Sequence, residues 1–420
     1  MSVKKYSSKK LPDIYEVDIE NLVYGGDAIG RLPDGRAVFV PFALPGEKVK
    51  LQITQQKRNH AKAKLVEILD ASDIRSKPIC EHFGECGGCH YQHIPYENQV
   101  SIKTSILTEQ IQRIAGIELP PVSRCIPAVQ PRHYRNTMQY HLSLEGGMGL
   151  FASGSDHIIP IKECDLPIPI IDNTRKLLDI EPSSQVERIE IRVGTDNEVL
   201  LAFGSTNSNL PEFSVDLPIS AVHLGEDGNT VLSGDEYVVI EVKERIFQVT
   251  AGSYFQVNTP VATAMVDYIL DLVQLNPQSV VLDLYCGGGL FSAFIAPHVS
   301  HCVGVDSSPF SASDFIVNLD EFDNVTLYQG NVEDVLPVLK LKTDIILVDP
   351  PRSGLSRAAM DALMVCNAEL IVYISSDPAT LSRDVKRMVG NGYSLEQISP
   401  FDMFPQTAQI ESISTLSKRK

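Results

Sequence analysis

Residues Ser279 to Asp306 read SVVLDLYCGGGLFSAFIAPHVSHCVGVD, and this stretch decides the fold. Val280, Val281, Leu282 and Leu284 form a short apolar run between Pro277 and the glycines Gly287, Gly288 and Gly289, which predicts a buried parallel strand rather than a helix. The glycines then open a helix, so that backbone N–H groups can approach a ligand closely at its positive end. A second strand, His301 to Val305, ends on Asp306. That carboxylate follows the glycines by about 20 residues, where dinucleotide folds place an acid on ribose hydroxyls. The loop is GGG after Asp283 rather than GxGxxG, which suits a smaller ligand. Residues 251 to 420 carry alternating strand and helix signals, the pattern of a doubly wound sheet with ligands beyond the carboxyl ends of its strands.

Working outward, 420 residues predict two or three domains, and 43% apolar with 21% charged residues is the balance of a soluble globular protein. The formal net charge of −17 argues against a generic polyanion binder unless cations are concentrated locally. They are concentrated from Lys48 to Lys64, where Lys48, Lys50, Lys57, Arg58, Lys62 and Lys64 occur without an acid among them. The basic tail MSVKKYSSKK has no apolar core of the signal-peptide kind, and no apolar run is long enough to span a bilayer. A cytosolic protein with no membrane partner is expected, its eight cysteines serving as thiols or metal ligands.

Residues 11–70 alternate short β-rich runs with Gly and Pro turns, the signature of a small β-barrel. GGDAIGRL, VFVPFALPGEKV and the basic strand after them resemble a TRAM domain, an OB-like RNA-binding module. Residues 71–250 follow as a central antiparallel α+β domain. It opens on CEHFGECGGCHYQHI, in which Cys80, Cys86 and Cys89 cluster, and a distant fourth thiol, Cys164, sits in PIKECDLP. Four such thiols suit tetrahedral zinc or an iron–sulfur cluster, with His82, His90 and His93 as substitutes in the zinc case. Ile102, Ile106, Ile111 and Ile114 lie at helical spacing and predict a packing helix. Arg132, His133, Tyr134, Arg135 and Asn136 then lead into a hairpin sequence whose basic cluster could face RNA or form surface ion pairs.

AGSYFQVNT, VLDLYCGGGLFS, ILVDPPRSGL, IVYISSDPATLSRD and MFPQTAQIES occur in the order found in RNA uracil-5 methyltransferases of the TRAM and iron–sulfur type, which the chain resembles over nearly all its length. The resemblance implies an α/β fold: a Rossmann-like class I methyltransferase domain at 251–420 behind the OB-like barrel and the central domain. It implies a monomer that uses S-adenosylmethionine to form 5-methyluridine in rRNA or tRNA. Gln256, Tyr285, Asp306, Asn331 and Asp349 match its cofactor-contacting positions, and Cys80, Cys86, Cys89 and Cys164 its 4Fe–4S ligands, with zinc the less favoured occupant. In that family a cysteine thiolate adds to carbon 6 of uracil and the resulting enolate takes the methyl group. A glutamate, matched here by Glu411, then removes the carbon 5 proton.

The chain departs from the pattern at SSDPATL, where Ser376 replaces the nucleophilic cysteine and Asp377 replaces a neutral amide. A serine hydroxyl acts only with an adjacent base, and a carboxylate beside it disfavours the anion that would follow. Two rival readings therefore stand beside 5-methyluridine formation. One is a degenerate member that binds RNA without turnover, and the other a methyltransferase acting on another RNA atom. Cys286 and Cys366 are poor stand-ins, one lying in the glycine loop and the other in a helix where a buried thiol is the default.

Overall fold

The computed structural model describes residues 14–143, 147–181, 186–205, 210–226 and 228–419; the basic tail read above lies outside these. The strands β1 (Ile14–Leu22), β2 (Asp27–Arg31), β3 (Ala37–Pro41), β4 (Lys48–Gln56) and β5 (His60–Asp70) close into a barrel in the order β1-β2-β3-β5-β4. Alternate residues such as Val38 and Val40, or Val49 and Leu51, fill its interior, as the period of two requires. The basic run divides between two environments. Lys48 and Lys50 pair with Glu16 and Glu67 across neighbouring strands, whereas Lys57, Arg58, Lys62 and Lys64 stand exposed around the β4–β5 hairpin.

Helix α1 (Tyr96–Gln110) follows the cysteine-rich segment, and the central sheet is built next. Its elements are β6 (Thr137–Leu142), β7 (Met148–Phe151), β8 (Ile158–Pro160), helix α2 (Pro169–Leu177), β9 (Asp179–Ile180), β10 (Arg188–Val193), β11 (Val199–Gly204), β12 (Phe213–Ser214), β13 (Ser220–Gly225) and β14 (Gly228–Ser233). Seven of these strands run β14-β13-β11-β10-β6-β7-β8, and β9 pairs with β12 apart from them. The sheet is antiparallel except at β11–β13, a parallel pair inside a domain read as antiparallel. The hairpin β15 (Tyr237–Val242) and β16 (Arg245–Thr250) leaves that sheet, and its Val238, Ile240 and Phe247 join the core of the following domain.

That domain comprises α3 (Thr259–Leu272), β17 (Val280–Leu284), α4 (Leu290–Ile295), β18 (His301–Asp306), α5 (Pro309–Asn318), β19 (Val325–Gln329), α6 (Val332–Val335), β20 (Ile345–Val348), α7 (Arg357–Cys366), β21 (Leu370–Ser375), α8 (Pro378–Gly390), β22 (Tyr393–Phe401) and β23 (Glu411–Lys418). Its sheet order is β19-β18-β17-β20-β21-β23-β22, parallel from β19 to β21, with β23 inserted antiparallel between β21 and β22. The strand order reverses outward from β17, so the loops after β17 and β20 flank a switch-point crevice.

Helix α1 packs as its isoleucine spacing predicts, with Ile106 and Ile111 buried, but it also buries Lys103. The ammonium donates to Asp402 Oδ1 at 2.6 Å and to the Phe404 carbonyl at 3.0 Å, both partners of the ion pair being fully enclosed. Gln99, one turn earlier, donates to Gln406 Oε1 at 3.0 Å. The start of the chain is thereby fastened to the segment that runs into β23.

Candidate active site

The crevice beyond β17 and β20 opens into a pocket lined by Tyr254, Phe255, Gln256, Tyr285, Cys286, Gly287, Gly288, Leu290, Phe291 and Asp349. Tyr285 leaves the strand with φ +61, a left-handed backbone uncommon for an aromatic residue, and it both lines the crevice and packs against the core. Gly289 follows with φ +87, and a Cβ there would come within 2.3 Å of Leu319, so glycine is required at this position. Asp306 fastens the loop from the neighbouring strand end, accepting from Gly287 N at 2.9 Å and Ser308 N at 2.8 Å. Gln256 is buried and takes a 3.3 Å hydrogen bond from the Tyr254 hydroxyl, while Asn136 of the central domain donates to its carbonyl. Of the five residues carried over as cofactor contacts, Gln256, Tyr285 and Asp349 line the pocket, and Asp306 holds its loop. Asn331 stands outside, exposed at the start of α6 with its amide on Asp334, one residue past Gly330, whose N–H meets the Asp306 carbonyl.

Sequence reasoning passed over Asp283. It interrupts the apolar run of β17 and is fully buried, with Oδ2 accepting from Ser292 at 2.6 Å and Oδ1 left without a partner. Burial lifts its carboxyl to about 7, against the Ser292 hydroxyl, with Asp306 adding to the rise. Burial, then the charge of Asp283, likewise lifts Asp349 to about 7. Glu411, at the start of β23, is buried and raised well above the usual carboxylate range by burial and by Asp349, with Arg352 opposing. An acid inside an otherwise apolar strand is the signal that would have found Asp283.

Ser376 is half-buried between the end of β21 and the first turn of α8, and its hydroxyl makes no hydrogen bond among the described residues. The neighbouring Asp377 is hydrogen-bonded away from that hydroxyl. Its Oδ1 caps α8, accepting from Ala379 N at 2.9 Å and Thr380 N at 2.8 Å, and its Oδ2 accepts from the Tyr24 hydroxyl at 3.0 Å. Asp followed by Pro at the first helical position is a helix-start signal, and the carboxylate is used for that.

Away from the crevice, Cys80, Cys86, Cys89 and Cys164 line one cavity together. Two of the sulfurs accept hydrogen bonds, Cys86 from Gly88 N at 3.4 Å and Cys89 from Gln92 Nε2 at 3.3 Å. Burial raises all four thiols, Cys164 to about 12, and neighbouring cysteines add to the rise for Cys86, Cys89 and Cys164. Among the described residues, no three His, Cys, Asp or Glu side chains converge as ligands of a single metal ion. His90 is turned to the Ala408 N–H, and His93 is packed against Phe42 and Phe83.

A sheet in this order, with a glycine loop after its central strand and an acid ending the next, is the architecture of a class I methyltransferase fold. The comparisons agree. The family profile described as tRNA (Uracil-5-)-methyltransferase matches residues 228–419, and that of the TRAM domain matches residues 11–66. An uncharacterized RNA methyltransferase of Halalkalibacterium halodurans is 30% identical over 96% of this chain and 97% of its own. One from Thermotoga maritima is 31% identical over 96% and 99%. The Pyrococcus abyssi tRNA (uracil-54, C5)-methyltransferase, solved with S-adenosyl-L-homocysteine, superposes with a TM-score of 0.74 at 23% identity, covering 96% of this chain and 100% of that one. The chain belongs to this RNA methyltransferase family. Among the described residues no helix is long and apolar enough to cross a membrane.

Proposed function

We propose that the chain, acting as a cytosolic monomer, transfers the methyl group of S-adenosylmethionine to carbon 5 of a uridine in tRNA or rRNA. Residues 11–70 hold the RNA, 71–250 carry the cysteine cage, and 251–420 perform the transfer. One observation carries the reading: a buried carboxylate, Glu411, lies within electrostatic reach of Asp349 in the wall of the glycine-loop pocket. This supports reading Glu411 as a proton acceptor near a bound methyl donor. Gln256 and Asp349 offer hydrogen bonds to the donor's amino-acid end, Tyr285 packs beside it, and Asp306 with Asn331 serves the ribose and adenine at the outer edge. Glu411 has a raised affinity for protons, as a base working near neutrality needs.

Ser376 supports a narrower statement. Its hydroxyl has no hydrogen-bonded base, and Asp377 is engaged elsewhere, so no adduct at carbon 6 is expected from it. That same observation favours the second reading, methyl transfer to an RNA atom that needs no adduct. Nucleoside mass spectrometry of RNA treated with the purified chain decides between them, with RNA carrying 5-fluorouridine run in parallel. We expect no gel-stable complex from the natural chain and trapping restored in Ser376→Cys; 5-methyluridine from the natural chain would show that carbon 5 is methylated without an adduct to Ser376. A different methylated nucleoside would select the second reading, and an adduct mapped to Ser376 would make serine a working nucleophile.

The four cysteines fit a 4Fe–4S cluster better than zinc. All four line one cavity, and the N–H donors to Cys86 and Cys89 suit thiolates carrying a cluster's negative charge. When bound, such a cluster would neutralise thiolates that burial otherwise disfavours and tie Cys164 to the segment from Cys80 to Cys89. Anaerobically purified protein should be brown and contain iron with acid-labile sulfide. Stoichiometric zinc without iron would overturn this.

A further inference from the structure

Tyr24 belongs to the barrel, in the turn between β1 and β2, yet its hydroxyl reaches Asp377 Oδ2 at 3.0 Å, next to Ser376. Two residues on, Gly26 packs so closely that a Cβ there would lie 3.1 Å from that of Ala408 and 3.0 Å from that of His90. Ala408 stands in the segment running into Glu411. One barrel turn therefore touches both sides of the site, the loop bearing Ser376 and the approach to Glu411. The Tyr24 phenol also feels the charges of Arg352 and Glu411, and burial with Asp377 keeps it protonated, hence a donor. In the other direction the turn leads into Asp27, which feels Lys62 of β5. Lys62 is one of the exposed cations of the β4–β5 hairpin. The turn that carries Tyr24 thus leads from the barrel strands to the loop after β21.

We infer that Tyr24 is a positioning residue of the methyl-transfer site: its hydrogen bond to Asp377 holds the Ser376 loop in register with Glu411 and couples RNA on the barrel to that geometry. The inference rests on the reading of this loop and Glu411 as the methyl-transfer site. This hydroxyl-to-carboxylate bond joins two folding units through residues 353 apart in the chain, at the loop that bears Ser376. The helix cap is already complete through Oδ1, which takes both N–H groups.

The test uses the full chain and unmodified tRNA and rRNA transcripts. Tyr24→Phe should slow single-turnover methyl transfer by about tenfold, the scale of one hydrogen bond to a charged group. Affinities for RNA and S-adenosylhomocysteine should stay as in the natural chain. Asp377→Ser keeps a capping oxygen but cannot reach Tyr24. It should slow transfer similarly, and the double variant should be no slower than either single one, since one interaction is removed. An unchanged rate in Tyr24→Phe, or losses that multiply in the double variant, would overturn the inference. A second arm needs no turnover: 3-fluorotyrosine placed at position 24 should shift its fluorine resonance when RNA binds, and Lys62→Ala should reduce that shift. A resonance unmoved by RNA that a gel shift shows to be bound would overturn the coupling. A shift without any methyl transfer would leave the coupling standing and sink the methyl-transfer reading instead.

Discussion

Two loops of the same sheet, after β17 and after β21, leave parallel strands at the same edge and enter helices, yet they treat their backbone donors oppositely. Entering α4, the chain uses a left-handed Gly289 and no capping side chain. Asp306 takes the Gly287 N–H from outside the loop. Entering α8, Asp377 satisfies two N–H groups from within the loop and spends its other oxygen on Tyr24. The first loop is held by the neighbouring strand, Tyr285 N and Cys286 N on the Val305 carbonyl and Gly287 N on Asp306, and the second is closed on itself. The difference separates a wall suited to holding a ligand from one suited to holding a rigid edge beside it.

The sharpest way to break that division is to remove the proton acceptor at the closed wall. Glu411→Gln should lower methyl incorporation by at least about a hundredfold, the usual scale of a lost general base. With the natural residue, incorporation should rise with pH as the carboxyl ionises, because only the ionised form accepts a proton. The raised proton affinity moves that rise toward neutrality. A variant that keeps most of the activity, or the same pH profile, would remove Glu411 from the chemistry.

At the first loop, Asp306→Ala should weaken S-adenosylhomocysteine binding by roughly 1.5–3 kcal/mol, or about 10- to 150-fold, through lost charge-assisted hydrogen bonds. Calorimetry reads this directly, and an unaltered dissociation constant would show that the loop holds its shape and ligand without the carboxylate. The smallest effect belongs to the cap. Asp377→Ala should cost about 1 kcal/mol of stability in denaturant unfolding, and Asp377→Asn only a few tenths. Equal losses in both would mean that the negative charge, not the capping oxygen, is what α8 requires.

The parts written in local sequence were legible. The apolar run and the glycines mark β17 and its turn, His301 to Asp306 forms β18 as read, and the four spaced cysteines meet around one cavity. What stayed hidden depends on partners far away in the chain. Lys103 reads as the polar face of an amphipathic helix until Asp402 is beside it. The partners of Asp377 include Tyr24, 353 residues away, which local sequence does not reveal. Asp283 was readable as a buried acid in an apolar strand, but its neighbours Asp306 and Asp349 come together only through strand order.

The insertion of β23 between β21 and β22 also orders the birth of the enzyme on the ribosome. Among the named strands β22 pairs with β23, which is translated after it and which begins with Glu411, while its outer side bridges to Val122 and Ile126. The barrel and central sheet emerge complete well before that, whereas the Lys103–Asp402 and Gln99–Gln406 links must wait for the same late segment. A nascent chain can therefore complete its barrel before Glu411 takes its place in the sheet. Contacts separated by about 300 residues make the closing step slow relative to local folding.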